Sequence, residues 1–355
     1  MSRIKKLIKK LEKNNLDAMI IHNGLNRRYL SGFTGSTAYL YISKNKQIIL
    51  TDFRYMEQAT NECKDFEVVD MLAEGHIATF NKIIQDDNIE SIGFEQNTVT
   101  YQEFAVLEDG LKIKKLVPIS DMVESLRMVK EEEEIENIRK AVSIGDKAFD
   151  YILDVLKPGI SEKEIALELE FFMKKEGASK LSFDSIVASG VHSSMPHASP
   201  SDKKIESGDF VTLDFGCVYK GYCSDMTRTM VIGKANEKQK EIYNTVLEAQ
   251  LKAISTIKEG ISGIDADKVA RDLIKEKGYG EYFGHGLGHA VGLYIHESPR
   301  LSPLGHDTLE ENMVVTVEPG IYVPKFGGVR IEDIVIVKKD GVINLTKSPK
   351  ELIEL

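Results

Sequence analysis

Cysteine is scarce in this chain, with three in 355 residues, Cys63, Cys217 and Cys223. So few thiols do not make the dense disulfide framework of a small secreted domain. They read as three reduced thiols in a cytoplasmic protein. Long apolar runs are also missing. The basic start, Met1-Ser2-Arg3-Ile4-Lys5-Lys6, continues as an amphipathic helical pattern without an apolar centre, so it does not read as a signal peptide. No stretch reaches the length of a membrane span. Positive charge is in deficit: 46 Lys and Arg against 56 Asp and Glu leave a net charge of −10, which argues against a nucleic-acid surface. The N-terminal part has no G-x-G-x-x-G phrase and no P-loop, so no nucleotide is assigned to it.

What is present suits a soluble globular protein, with 42% hydrophobic and 29% charged residues, and 355 residues suggest two domains. Arg3 to Asn14 carries a helical stripe at Ile4, Leu7, Ile8 and Leu11. Asp17 to His22 reads as a buried strand, and 37–42 with 47–50 as a hairpin around Lys44-Asn45. A helix is expected over 52–61, strands over 67–69, 91–94 and 112–117, and helices over 76–86 and 101–110. The first domain is thus α/β, and the boundary lies between Pro118 and Arg127. Beyond it, Glu131 to Leu156 reads as a long helix opened by four glutamates, taken as a solvated start favoured by the helix dipole.

The second part contains an echo. Leu156-Lys157-Pro158-Gly159-Ile160-Ser161 returns 101 residues later as Ile257-Lys258-Glu259-Gly260-Ile261-Ser262. A helical pattern precedes and follows each copy, and Ser161 with Glu164 reads as a capping box. Chance similarity remains open, but strand pairs follow both copies. A duplication with a pseudo-twofold axis and a shared sheet is the preferred reading.

The chemistry of this part is acidic. Asp214 lies in the phrase LDFG, Asp225 in SDMTRT, His289 in HGLGH, Glu318 in VEPG and Glu332 in RIED. Asp214 and Asp225 read as residues on the two arms of a hairpin. Either alone also reads as an ordinary turn aspartate. His285 and His289 are four apart, but four glycines in residues 284–292 argue against a helix, so only one of the two is expected to be a ligand. Glu318 ends a β-branched run before a Pro-Gly turn. Arg330 and Glu332 share one face of a strand running from Val329 to Val337, where a solvated pair is the ordinary reading. Four carboxylates and an imidazole do not bury together unless cations neutralise them. Two divalent ions would do so, and would lower the pKa of a water held between them.

In this order, at intervals of 11, 64, 29 and 14 residues, the five phrases resemble the pita-bread metallopeptidases, the family of methionine aminopeptidases, aminopeptidase P and prolidase. The wording HGLGHAVGL…HE…PRL is most similar to the proline-specific branch. The phrases RYLSGFTGS (28–36) and TDFRY (51–55) are similar to the creatinase-like N-terminal domain of that branch, which simple methionine aminopeptidases lack. The resemblance implies a creatinase-like α/β domain over 1–123 and an α+β pita-bread catalytic domain over 124–355, with the pseudo-twofold duplication inside it. It implies two divalent metal ions held by Asp214, Asp225, His289, Glu318 and Glu332, with Asp225 and Glu332 bridging. Such a donor set favours Mn²⁺ and admits Co²⁺, Zn²⁺ or Fe²⁺. Glu318 also becomes the proton acceptor from a metal-bridging water. His197 would lie on the leaving-group side, and His296 would contact the scissile carbonyl. Arg330 would stabilise the site by charge-assisted bonds, and His285 would line the substrate pocket. Arg300 matches the arginine that prolidases use for a dipeptide's free carboxylate. The activity implied is Xaa-Pro dipeptidase, with aminopeptidase P on longer peptides as the alternative, in a homodimer. Non-peptidase members of this fold predict lost ligands, and all five positions are filled here.

Overall fold

The computed structural model of the protein describes residues 2–355, and the chain forms two compact units, Met1–Arg127 and Met128–Leu355. No helix among the described residues is long and apolar enough to cross a membrane.

The first unit is built on a six-stranded sheet, in the order Glu67–Asp70, Gln47–Thr51, Ala38–Ser43, Ala18–Ile21, Ser91–Glu95, Lys115–Ile119. Ala18–Ile21 is apolar throughout and buried throughout, which suits a central strand. It pairs antiparallel with Ala38–Ser43 and parallel with Ser91–Glu95. The parallel pair Ser91–Glu95 and Lys115–Ile119 is joined by the helix Tyr101–Gly110, the crossover such a pair needs. Phe80, Ile83 and Leu107 from the helices close over Ile20, Tyr41 and Leu50 of the sheet.

Local side-chain bonds account for three differences from the sequence reading. The helix expected from residue 52 starts only at Met56, because the Asp52 carboxylate takes the Arg54 amide and guanidinium and holds 52–55 as a turn. The strand expected from Lys112 starts at Lys115, because the Lys112 amide is drawn away to Asn81 Oδ1 at 2.7 Å. A helix not expected, Gly24–Ser31, forms because Asn23 caps it, accepting from the Leu25 and Asn26 amides.

The second unit shows the duplication in its backbone. Helices Glu132–Val155 and Glu162–Lys175 have counterparts in Glu237–Thr256 and Gly263–Glu276. Ser161 and Ser262 cap the second helix of each pair. Gly159 and Gly260 take positive φ, 91° and 88°, and donate to Ile205 O and Leu309 O at 2.9 and 2.8 Å. The long helix opens differently from its solvated reading. Glu132 and Glu133 are exposed, but Glu134 is buried and accepts from the Tyr222 hydroxyl at 3.1 Å.

Two β arrangements position the site. One is the sheet Ile186–Ser189, Phe210–Phe215, Met226–Val231, in which Asp214 pairs with Thr227 and Asp225 lies just before the last strand. Between the two aspartates, a Cβ on Gly216 would lie 1.9 Å from the Ser224 carbonyl oxygen. Gly216→Ala is therefore expected to destabilise the protein by about 3 kcal/mol or more. A denaturant midpoint equal to that of the unsubstituted protein would refute this. In the other arrangement the strand expected over 329–337 is broken. Gly327–Arg330 pairs with Gly320–Val323, whereas Asp333–Lys338 pairs with Val314–Val317. Both arms leave one sheet and enter another at the same level, so Glu318 and Glu332 sit at facing bends. There the Glu332 amide donates to Thr227 O at 3.1 Å, tying this bend to the first sheet.

Candidate metal centre and substrate pocket

All ten residues singled out above line one cavity of about 600 Å³: His197, Asp214, Asp225, His285, His289, His296, Arg300, Glu318, Arg330 and Glu332. At its floor, donor atoms of Asp225, His289 and Glu332 lie within 4.8 Å of one another. His289 Nε2 is 3.4 Å from Glu318 Oε1 and 3.7 Å from Asp225 Oδ2. Its Nδ1 is 3.2 Å from the Ala290 carbonyl, so the proton belongs on Nδ1 and the Nε2 lone pair faces the carboxylates. His285 turns elsewhere: Nδ1 meets Gly286 O at 2.8 Å and Nε2 meets the Tyr322 hydroxyl at 2.9 Å. The glycines allow this arrangement. A Cβ on Gly288 would stand 2.2 Å from Thr316 O, so the HGLGH strand lies against its neighbour only without a side chain there.

The solvated reading of Arg330 and Glu332 does not survive. Both are buried, and both use Thr227. Arg330 Nε donates to Thr227 Oγ1 at 3.0 Å, and that hydroxyl donates to Glu332 Oε2 at 2.7 Å. Arg330 Nη2 reaches Asp214 Oδ2 at 2.6 Å, and Nη1 reaches the Tyr322 hydroxyl at 2.6 Å. Thr316 serves Glu318 in the same way, donating to Oε1 at 3.1 Å while accepting the His289 amide at 3.0 Å. Sequence reading missed Thr227, Thr316 and Tyr322. The signal was available for Thr316, which lies two residues before Glu318 in the same run, hence on the same face; the partner of Thr227, Glu332, lies 105 residues on.

The electrostatics call for added positive charge. Burial, then Glu332, Asp214 and Glu318, push Asp225 well above the ordinary carboxylate range. Burial and then Glu318 and Asp214 do the same to Glu332. Glu318 is pushed up to about 8, chiefly by burial. Burial also holds His289 and His285 down to about 4, so neutral imidazoles line the site. Asp214 Oδ1, Asp225 Oδ1 and Glu332 Oε1 are buried without a hydrogen-bond partner. Buried carboxylate oxygens left without partners, beside a neutral imidazole with its lone pair inward, are the donor set of a divalent cation. The residues fit a metal. Above this floor, His296 stacks edge-on against His289 with ring centres 4.6 Å apart, and Arg300 is the cross-strand partner of His289.

The comparisons agree with this chemistry. Residues 136–339 match Metallopeptidase family M24, and residues 3–129 match the Creatinase/Prolidase N-terminal domain. An uncharacterized peptidase of Bacillus subtilis, YqhT, is 49% identical over 340 residues, covering 96% of both chains. Among solved structures, an Xaa-Pro dipeptidase from Bacillus anthracis aligns with TM-score 0.97 at 48% identity, covering 99% of each chain. An X-Pro aminopeptidase from Thermotoga maritima aligns with TM-score 0.93 at 41% identity over the whole of both chains. The duplicated helix pairs around the acidic cavity are thus the pita-bread fold, following a creatinase-like domain in the chain, and with likeness of this extent the chain belongs to metallopeptidase family M24.

Proposed function

We propose that this protein hydrolyses Xaa-Pro dipeptides with two divalent metal ions, Mn²⁺ the favoured one, held by Asp214, Asp225, His289, Glu318 and Glu332. The observation that carries the reading is the set of buried, unpartnered carboxylate oxygens around a neutral His289. When bound, the metals supply Lewis-acid polarisation of the scissile carbonyl and a water of lowered pKa. The protein does the rest. Thr316 occupies one oxygen of Glu318, which leaves the other to take a proton and pass it to the leaving proline nitrogen. His296 donates to the carbonyl oxygen as negative charge develops. His197 borders the leaving group. Arg330 holds Asp214, and with Tyr322 it fixes His285 in the pocket wall. Arg300 receives the dipeptide's terminal carboxylate in its fork of donors. Three buried free thiols suit a cytoplasmic setting. Resemblance to proline peptidases supports a homodimer.

The second reading is aminopeptidase P, favoured by the likeness to the Thermotoga maritima X-Pro aminopeptidase. Proline release from Ala-Pro, run beside cleavage of Ala-Pro-Ala with Mn²⁺ present, separates the two. The dipeptide is expected to be the better substrate. Arg300→Lys is expected to raise KM for Ala-Pro about tenfold or more, with a smaller effect on the tripeptide. Equal effects on both peptides would remove Arg300 from carboxylate binding. Preference for the tripeptide would make the enzyme an aminopeptidase P.

A further inference from the structure

Glu162 is the first residue of the helix Glu162–Lys175, and its side chain is fully buried. It is not among the residues lining the acidic cavity, yet its carboxylate is saturated with donors. Oε1 accepts from the Ser189 amide at 2.7 Å and the Ser189 hydroxyl at 2.9 Å. Oε2 accepts from the Ser201 amide at 3.0 Å and the Ser201 hydroxyl at 2.6 Å. His192 Nδ1 lies 2.9 and 2.8 Å from the two oxygens and donates between them. Burial by itself would raise this acid. The bonds from Ser201, His192 and Ser189 outweigh it and hold Glu162 below the ordinary range, so the carboxylate is charged.

These donors stand at both ends of one segment. Ser189 begins it and Ser201 ends it, and Pro196, His197, Ala198, Ser199 and Pro200, all lining the cavity, lie between them. Glu162 therefore closes residues 189–201 into a loop that forms one wall of the pocket.

The duplication shows what the other half does at the same place. The residue 101 positions later is Gly263, also the first of its helix. A Cβ there would lie 2.1 Å from the Arg300 carbonyl oxygen. Gly263 N donates to Asp307 O at 3.0 Å and Ile264 N to Gly305 O at 2.9 Å. In this half the helix start grips the loop carrying Arg300 and Ser302 by direct backbone approach. In the first half a carboxylate spans the gap.

We propose that Glu162 is a positioning residue for the reaction: its buried carboxylate clasps Ser189, His192 and Ser201, and so holds His197 at the pocket. The inference rests on the role given to His197 above.

Glu162→Gln turns two acceptor oxygens into one acceptor and one donor, which can no longer accept from both Ser189 and Ser201. Ser201→Ala is the milder variant, removing a single donor from the loop side. In both, hydrogen exchange of peptides within 189–201 is expected to quicken, while peptides carrying Asp214, Asp225, Glu318 and Glu332 stay unchanged. Thermal stabilisation by added Mn²⁺ is expected to persist. Proline release from Ala-Pro is expected to fall in kcat, by about 100-fold for Glu162→Gln. Combined with His197→Ala, Glu162→Gln is expected to add nothing further. Unchanged exchange in 189–201, or effects of the two substitutions that multiply, would overturn the clasp. Should the unsubstituted protein release no proline, the dipeptidase reading falls, and the exchange experiment still decides whether Glu162 holds the loop.

Discussion

Glu318→Gln is expected to lower kcat for Ala-Pro about 1,000-fold or more, with the protein still folded. The amide keeps the shape of the side chain and its bond from Thr316 Oγ1. It removes the negative charge and the capacity to accept a proton. The fold tolerates this, because in the metal-free site the Glu318 carboxyl is already pushed up to about 8, chiefly by burial, and is largely neutral at pH 7. Thr316→Val separates orientation from chemistry. It leaves the carboxylate and removes only the hydroxyl that directs it, so a loss of about tenfold is expected. Activity of Glu318→Gln within tenfold of the unsubstituted protein would mean that proton transfer runs elsewhere.

Stripping divalent metal is expected to lower the Tm, and to lower it more at pH 8 than at pH 5. The sign follows from proton binding. Glu318 moves from an ordinary value of 4.5 to about 8, so the folded metal-free protein binds more protons than the unfolded chain between those values. The stability this contributes is complete below about 4.5 and is lost as the pH rises toward 8. Asp225 and Glu332 shift in the same direction, through burial and their carboxylate neighbours, and add to the loss. Divalent cations reverse it by taking the place of the protons. At a metal concentration about 1,000 times Kd the gain is about 4 kcal/mol. Calorimetry with and without chelator at the two pH values tests this. Coincident Tm values at pH 8 would show that the acidic floor holds no structural cation.

Some site geometry was open to sequence reading because it is local. The order Asp, Asp, His, Glu, Glu within short strand-like phrases names candidate donors without coordinates, and all five line one cavity. The glycines around His285 and His289 rule out a helix by propensity alone. The break at Ile331-Glu332 was not legible. Residues 329–337 alternate and branch like one strand, and nothing local says that Arg330 pairs with Gly320 while Asp333 pairs with Val317. Local patterns were overridden where a distant side chain offered a better bond, as when Asn81 drew the Lys112 amide out of its expected strand.

By itself, then, the sequence determined the α/β and duplicated halves, and it named as candidates the five acidic and imidazole residues and the histidines and arginines that line the same cavity. Periodicity, capping and residue chemistry are properties of short segments, and an echo at a fixed interval survives without any contact. Only the tertiary structure decided where His285 turns, with its Nε2 on the Tyr322 hydroxyl. It set Arg330 on Asp214, where a strand face suggested a solvated pair. It gave Thr227 the task of orienting Glu332, and Glu162 the closing of a loop whose ends are 12 residues apart. Each of these depends on bonds between residues far apart in the chain, whose geometry exists only once both sheets are packed.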